Sequence, residues 1–358
     1  MRQDRIELEV QRKTGFHLRV AFDLPEGGVT VLYGPSGCGK TTVLRSAAGL
    51  ERALGYVRVA GNVWQDDASN IFVPTYRRRI GYVFQEASLF DHLTVEQNLQ
   101  FGLRRIPDRD GGKRLKVAVD LLGIGHLLPR RTTQLSGGER QRCAIARSLA
   151  ISPSSLFFDE PLAALDRARR QEILPWLERI KTELSVPIIY VTHSEEELIR
   201  LADNIVAMEA GHVVFAGSVD TVWNSLASQI GRESPPASLV IGHIEQRDVE
   251  WHLMKVVAGG AHFWVADSQQ PIGSEVRLRV SSENVSLSVA RPSKTSIQNV
   301  FESTVVSIET NREKGRSRVT LDSDGVKIFA DLTARSAYDL ALVPGMRVWV
   351  QVKSVAVH

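Results

Sequence analysis

Cysteine is nearly missing from this 358-residue sequence, which holds two, Cys38 and Cys143. They stand at no metal-ligand spacing and cannot build a disulfide framework, which fits a reducing compartment. Long hydrophobic runs are missing too. No stretch of ~18 or more apolar residues exists, so no helix is expected to cross a membrane. The opening, Met1-Arg2-Gln3-Asp4-Arg5, lacks an apolar signal core. The expectation is a cytosolic chain whose link to any membrane runs through another protein. An excess of one charge is also lacking. Lys and Arg number 44 against 41 Asp and Glu, a formal net charge of +3. That balance excludes nucleic acid as the main partner, because phosphate-backbone binders concentrate Lys and Arg.

What is present is an ordinary globular composition, 43% apolar and 24% charged. A single core rarely grows past ~250–300 residues, so two or three domains are expected. Residues 5–33 read as strands, with Leu18, Val20, Phe22 and Leu24 in period-2 alternation. Val29–Tyr33 is a short apolar run that enters a Gly-rich turn. Lys40–Ala48 then reads as a helix closed by Gly49 at a C-cap position. Further strands are expected near 56–60, 80–84, 155–158 and 187–191. Helices are expected after Thr94, across 113–150 and after Asp166, this last carrying Pro175 and a kink. Thr94 with Gln97, and Ser194 with Glu197, read as capping boxes. Alternating strands and helices argue for an α/β class with a mainly parallel, helix-covered sheet. Near residue 230 the pattern changes. Residues 231–236, Gly-Arg-Glu-Ser-Pro-Pro, read as a linker, followed by short alternating strands of a small all-β region. The expected boundaries are 1–230, then 231–292, then 293–358, with Arg291-Pro292-Ser293 as the second division.

Gly34-Pro35-Ser36-Gly37-Cys38-Gly39-Lys40-Thr41 matches G-x-x-x-x-G-K-[ST]. Glycines let backbone N–H groups converge on phosphates, and the following helix aims its positive end at them. The motif assigns Lys40 to the β- and γ-phosphates of ATP and Thr41 to Mg²⁺. Leu156-Phe157-Phe158-Asp159-Glu160 is an apolar strand ending in two acids. Alone, such a pair reads as two solvated carboxylates. Downstream of a phosphate cradle in an alternating sheet, Asp159 is the expected Mg²⁺ holder and Glu160 the general base for the attacking water.

Leu135-Ser136-Gly137-Gly138-Glu139 is a third motif. Ser136-x-x-Glu139 is itself a capping box, and its two glycines expose backbone N–H groups at a helix start, an anion site. This run resembles the signature of the ABC transporter ATP-binding family, with Glu139 in the fifth place. The order of the remaining motifs agrees. Gln85 after Tyr82-Val83-Phe84 resembles the family's Q-loop glutamine, Leu165-Asp166 the D-loop, and His193 after Ile188–Val191 the switch histidine.

The resemblance implies a P-loop ABC nucleotide-binding domain. Gly34 to Thr41, with Thr42, would hold the nucleotide. Thr41, Gln85 and Asp159 would hold Mg²⁺, and Glu160, His193 and Gln85 would carry hydrolysis. Ser136, Gly137 and Gly138 would cover ATP held by a second copy, hence a homodimer around two ATP. The family's adenine-stacking aromatic has Phe16 as its nearest counterpart, closer to Gly34 than usual. Two copies of an integral membrane permease would be the direct partners and an extracytoplasmic oxyanion-binding protein an indirect one, with the chain peripheral at the cytoplasmic face of a bacterial inner membrane.

The tail adds a cargo. Thr295-Ser296-Ile297-Gln298-Asn299 and Lys353-Ser354 resemble the two segments that meet in the molybdate-binding Mop domain, an OB-like β module. Ser296, Lys353 and Ser354 are the candidate oxyanion contacts. Gln298 stands where that family has Arg, which removes one charge-assisted contact. Two readings stay open at this level. One is a molybdate (or tungstate) importer ATPase. The other is an importer ATPase for sulfate, a sugar or a polyamine, with a tail that regulates or dimerises.

Overall fold

A computed structural model describes residues 3–12, 15–104, 110–230 and 237–357. The expected linker at 231–236 lies outside the described residues. The chain divides into two units, one ending at Ser218 and one beginning at Val219. The sequence reading carried the first domain to 230. The structure assigns the helix Val219–Ile230 to the second unit, where it packs on the strand Ala237–Asp248.

The first unit is built on an eleven-stranded sheet. Near its centre is the strand Val29–Tyr33, buried at all five positions. This is what an apolar run without alternation implies, since such a strand has cover on both faces. It lies parallel to Ile188–Thr192 on one side and Asn204–Glu209 on the other. Beyond Ile188–Thr192 come Ser155–Asp159 and Ile80–Val83, also parallel. The other wing departs from the expectation of a mainly parallel sheet. Half of the ten neighbouring pairs are antiparallel, among them Asp4–Gln11 with His17–Leu24 and with Leu54–Val59. Strands joined by a short connection, as Asp4–Gln11 and His17–Leu24 are, pair antiparallel because a short loop cannot return the chain to a parallel start.

On that wing Leu18, Val20, Phe22 and Leu24 are all buried, the inward half of the alternating pattern. They meet Val43, Leu44, Ala47 and Ala48 of the helix Lys40–Ala48 in one core. Burial of each large side chain contributes about 1.5–3 kcal/mol, so the helix is held by tertiary packing. Gly49 closes it with φ +77, its N–H bonded to the Arg45 and Ser46 carbonyls. The boxes at Thr94 and Ser136 form in full, each with both reciprocal bonds. At Ser194 the hydroxyl accepts from Glu197 N, but the Glu197 carboxylate turns inward instead of reaching back.

The second unit holds two five-stranded antiparallel sheets over a shared core. The division expected at 292 is not a packing boundary. Val285–Ser288, before it, pairs with Arg347–Val352, and Ala356–Val357 returns to pair with Glu275–Ser281. Phe263 and Leu278 of one sheet and Phe301, Leu321 and Val350 of the other all belong to one apolar cluster.

Candidate active site

The central strand Val29–Tyr33 ends at Gly34, and the loop 34–39 turns the chain into the helix Lys40–Ala48. Two glycines make that turn possible. Gly34 has φ +156, and a Cβ there would run into the Met208 carbonyl. Gly39 has φ +107, and a Cβ there would press on Leu18 and on the Phe16 ring. A side chain at either position would therefore displace the loop backbone.

Lys40 is 4% exposed. Its Nζ donates to the carbonyls of Gly34 (2.8 Å) and Pro35 (2.9 Å), which fold the ammonium over the loop. Thr41 Oγ1 donates to Asp159 Oδ1 at 2.8 Å, and Tyr82 OH donates to Asp159 Oδ2 at 2.8 Å. Asp159 is 5% exposed, so both oxygens of a buried carboxylate are occupied. Burial, then the Asp159 charge, pushes the Tyr82 phenol far above its ordinary range.

Glu160 follows in the left-handed region, φ +45, a strained state for a residue with a side chain. The turn aims its carboxylate at the exposed His193, whose Nδ1 lies 3.3 Å from Glu160 Oε2. The base of the His193 turn is tied down from below. Glu197, 3% exposed, accepts from Tyr190 OH and Thr192 Oγ1, both at 2.8 Å. Thr192 Oγ1 in turn accepts from Ser194 N at 3.0 Å. Desolvation holds the Glu197 carboxyl above its usual value, opposed by these bonds.

A cleft of 440 Å³ gathers this chemistry, lined among others by Phe16, Ser36, Lys40, Thr41, Thr42 and Glu160. Arg12 also lines it, with its guanidinium 5.7 Å from the Phe16 ring centre. The structure thus brings the phosphate loop and Glu160 to one cavity, with Asp159 and His193 bonded to its walls. Gln85 stands apart, exposed on the bend after Ile80–Val83 and off the cleft lining. Ser136, Gly137 and Gly138 also do not line it. Their box is intact: Ser136 Oγ accepts from Glu139 N (3.3 Å) and Glu139 Oε2 from Ser136 N (2.8 Å).

Sequence reasoning missed Tyr82, Arg12 and the Tyr190–Thr192–Glu197 network. The available signal for Tyr82 was a phenol inside an apolar strand three residues before Gln85. In the second unit Ser296, Lys353 and Ser354 are exposed. Asn299 pairs with Val352, which sets the two segments at one end of a sheet. No hydrogen bond joins the three among the described residues.

Residues 18–163 match the family model for the ABC transporter, and residues 295–358 match that of the TOBE domain. The molybdenum import ATP-binding protein ModC of Aromatoleum aromaticum is 47% identical, over 96% of this chain and 91% of that protein. Its counterpart from Methylococcus capsulatus is 48% identical, over 96% of each. The chain belongs to the ABC transporter ATP-binding family. Membership makes it an ATP-binding protein and an ATPase. Among solved structures, cbiO1 from Clostridium perfringens, part of the ABC transporter complex cbiONQ, superposes with a TM-score of 0.55 at 28% identity. It covers 65% of this chain and 96% of that one. An ATP-binding cassette solved as a dimer in a post-hydrolysis state with ADP and Pi superposes with a TM-score of 0.50 at 25% identity. No described helix is long and apolar enough to cross a membrane.

Proposed function

We propose that this chain hydrolyses ATP to drive import of molybdate, with tungstate as a second cargo, through separate permease subunits. The observation that carries the cargo is likeness along nearly the whole length, tail included, to molybdenum import ATP-binding proteins. The cleft supports the chemistry. The loop in which Gly34 and Gly39 leave no room for a Cβ fits phosphates, and two hard oxygens 2.8 Å apart, Thr41 Oγ1 and Asp159 Oδ1, fit Mg²⁺. Thr41 directs its hydroxyl hydrogen at Asp159 and keeps its lone pairs for the metal. Bound there, Mg²⁺ neutralises phosphate charge. Lys40 exchanges two loop carbonyls for phosphate oxygens. Glu160 accepts the proton of the attacking water, and His193 fixes the orientation of that carboxylate. Gln85 would be a further Mg²⁺ ligand.

The signature helix supports a homodimer. Ser136 is exposed at its start, and neither it nor Gly137 and Gly138 lines its own cleft, so the three cover ATP on a second copy. Two permease copies and an extracytoplasmic oxyanion-binding protein complete the assembly at the cytoplasmic face of the inner membrane. In the tail, Ser296, Lys353 and Ser354 are the proposed oxyanion contacts. A second reading of the tail rests on their exposure and on Gln298: a module that only dimerises.

Uptake of isotope-labelled molybdate in cells depleted of the protein, restored with wild type or Glu160→Gln, tests the whole reading. Wild type alone should restore molybdate uptake while sulfate uptake stays unchanged. Uptake that ignores the protein would remove molybdate and leave an importer ATPase for sulfate, a sugar or a polyamine.

A further inference from the structure

We propose that Tyr82 is a positioning residue for the metal-holding carboxylate, fixing Asp159 in the rotamer that a divalent cation requires. This rests on the reading that Thr41 and Asp159 hold Mg²⁺.

The geometry begins with register. Tyr82 lies opposite Phe157 in the parallel pair Ile80–Val83 with Ser155–Asp159. Side chains two residues apart on a strand share a face, so Tyr82, Phe157 and Asp159 line one side of the sheet. The Tyr82 ring packs 6.4 Å from Phe157 and 4.5 Å from Phe84. Those contacts leave the hydroxyl directed at Asp159 Oδ2, 2.8 Å away. Thr41 occupies Oδ1 at the same distance.

A carboxylate held by Thr41 alone can still rotate about χ2, because that torsion is broad and two-fold. The second donor removes this freedom. It also orders the two oxygens before any metal arrives, so less rotational freedom is lost on binding. A group that hydrogen-bonds a metal ligand in this way sets the ligand's orientation, and its loss typically costs 10–100-fold in metal affinity. Tyr82 therefore acts on the metal through Asp159, without touching the nucleotide cleft.

Tyr82→Phe keeps the ring and both ring contacts and deletes only the hydroxyl. The full-length wild type, Tyr82→Phe and Asp159→Asn should be compared in two binding measurements. The first is binding of a fluorescent ADP analogue without divalent metal. The second is a Mn²⁺ titration of the nucleotide-loaded protein followed by electron paramagnetic resonance. For Tyr82→Phe we expect unchanged metal-free nucleotide binding, a lower melting temperature because a buried Asp159 oxygen loses its donor, and Mn²⁺ affinity weaker by about tenfold. Asp159→Asn should weaken Mn²⁺ further. A Tyr82→Phe protein with wild-type Mn²⁺ affinity, beside a weakened Asp159→Asn, overturns the positioning role and leaves the metal site intact. Wild-type Mn²⁺ affinity in Asp159→Asn overturns the site itself. A Tyr82→Phe protein that loses melting temperature and metal-free nucleotide binding alike assigns the phenol to packing and also refutes the proposal.

Discussion

Ser136 separates a helix cap from a nucleotide contact, and two substitutions distinguish them. In the structure the Ser136 hydroxyl accepts from Glu139 N at 3.3 Å, which starts the helix Gly137–Ala150. Ser136→Ala deletes that acceptor, and loss of an N-cap costs about 1 kcal/mol. In a unit of this size that lowers the melting temperature by about 2–4 °C. If the same hydroxyl also bonds a phosphate held by a second copy, its loss removes a hydrogen bond to a charged group. Such a bond is worth about 1.5–3 kcal/mol, so ATP hydrolysis should fall roughly 10- to 150-fold. Ser136→Asp supplies an equally good cap, so its stability should match wild type. Its carboxylate would face the phosphate, so its hydrolysis should fall at least as far as that of Ser136→Ala. Melting curves and steady-state phosphate release, both near neutral pH, read the two effects. Neutral pH matters because the Ser136 N–H, first among the causes, lowers the Glu139 carboxyl below its ordinary value. The stability from Glu139 is therefore full above the unfolded-state value near 4.5 and lost as pH falls through the lower folded one. A Ser136→Asp protein that hydrolyses ATP at the wild-type rate would reduce Ser136 to a cap.

Glu197→Leu should destabilise the first unit by on the order of 2–6 kcal/mol, because two buried hydroxyls, on Tyr190 and Thr192, lose their acceptor. Urea unfolding checks it, and a loss below about 1 kcal/mol would contradict the network. Against Glu197→Gln the wild type should lose relative stability as pH rises, since burial raises the folded-state carboxyl above its unfolded value. That contribution is present in acid and disappears through the raised value. Phe16→Ala should weaken nucleotide binding by about 1–3 kcal/mol, the worth of one base–aromatic stack, while leaving the Mn²⁺ dependence unchanged. Undiminished nucleotide affinity in that variant would place the base elsewhere along the 440 Å³ cleft.

The parts of the fold that were legible are those whose cause is local. The central strand announces itself as Val29–Tyr33 because a strand covered on both faces has no reason to alternate. The helix after it is bounded by Gly39 and Gly49, both in left-handed conformations that favour glycine. The boxes at Thr94 and Ser136 were read correctly because each needs only four consecutive residues. At Ser194 the same spacing misled. Glu197 has Tyr190 and Thr192 beneath it, and their two buried hydroxyls take its carboxylate while the Ser194 N–H donates to Thr192 Oγ1. That strands and core cross residue 292 has a related cause. Which strand pairs with Val285–Ser288 is decided near the end of the chain, at Arg347–Val352, and nothing near Arg291 encodes it.

The same distinction runs through the site. Motif spacing located Lys40, Thr41, Asp159 and Glu160, because a phosphate loop and a strand-end carboxylate are each short segments. What holds these groups in place was invisible, because it depends on register between segments far apart. Tyr82 reaches Asp159 only through the pairing of Ile80–Val83 with Ser155–Asp159, across 77 positions of sequence. Glu160 meets His193 only because Ser155–Asp159 and Ile188–Thr192 end side by side. Gln85 presents the opposite case: its motif is plain, yet it stands exposed and off the cleft. At Gln85 the motif alone carries the assignment. The strand that delivers Gln85 is the one that carries Tyr82. Any movement of that bend begins three residues from a hydroxyl bonded to the Asp159 carboxylate, so Tyr82→Phe tests how firmly that strand is anchored as well as metal affinity.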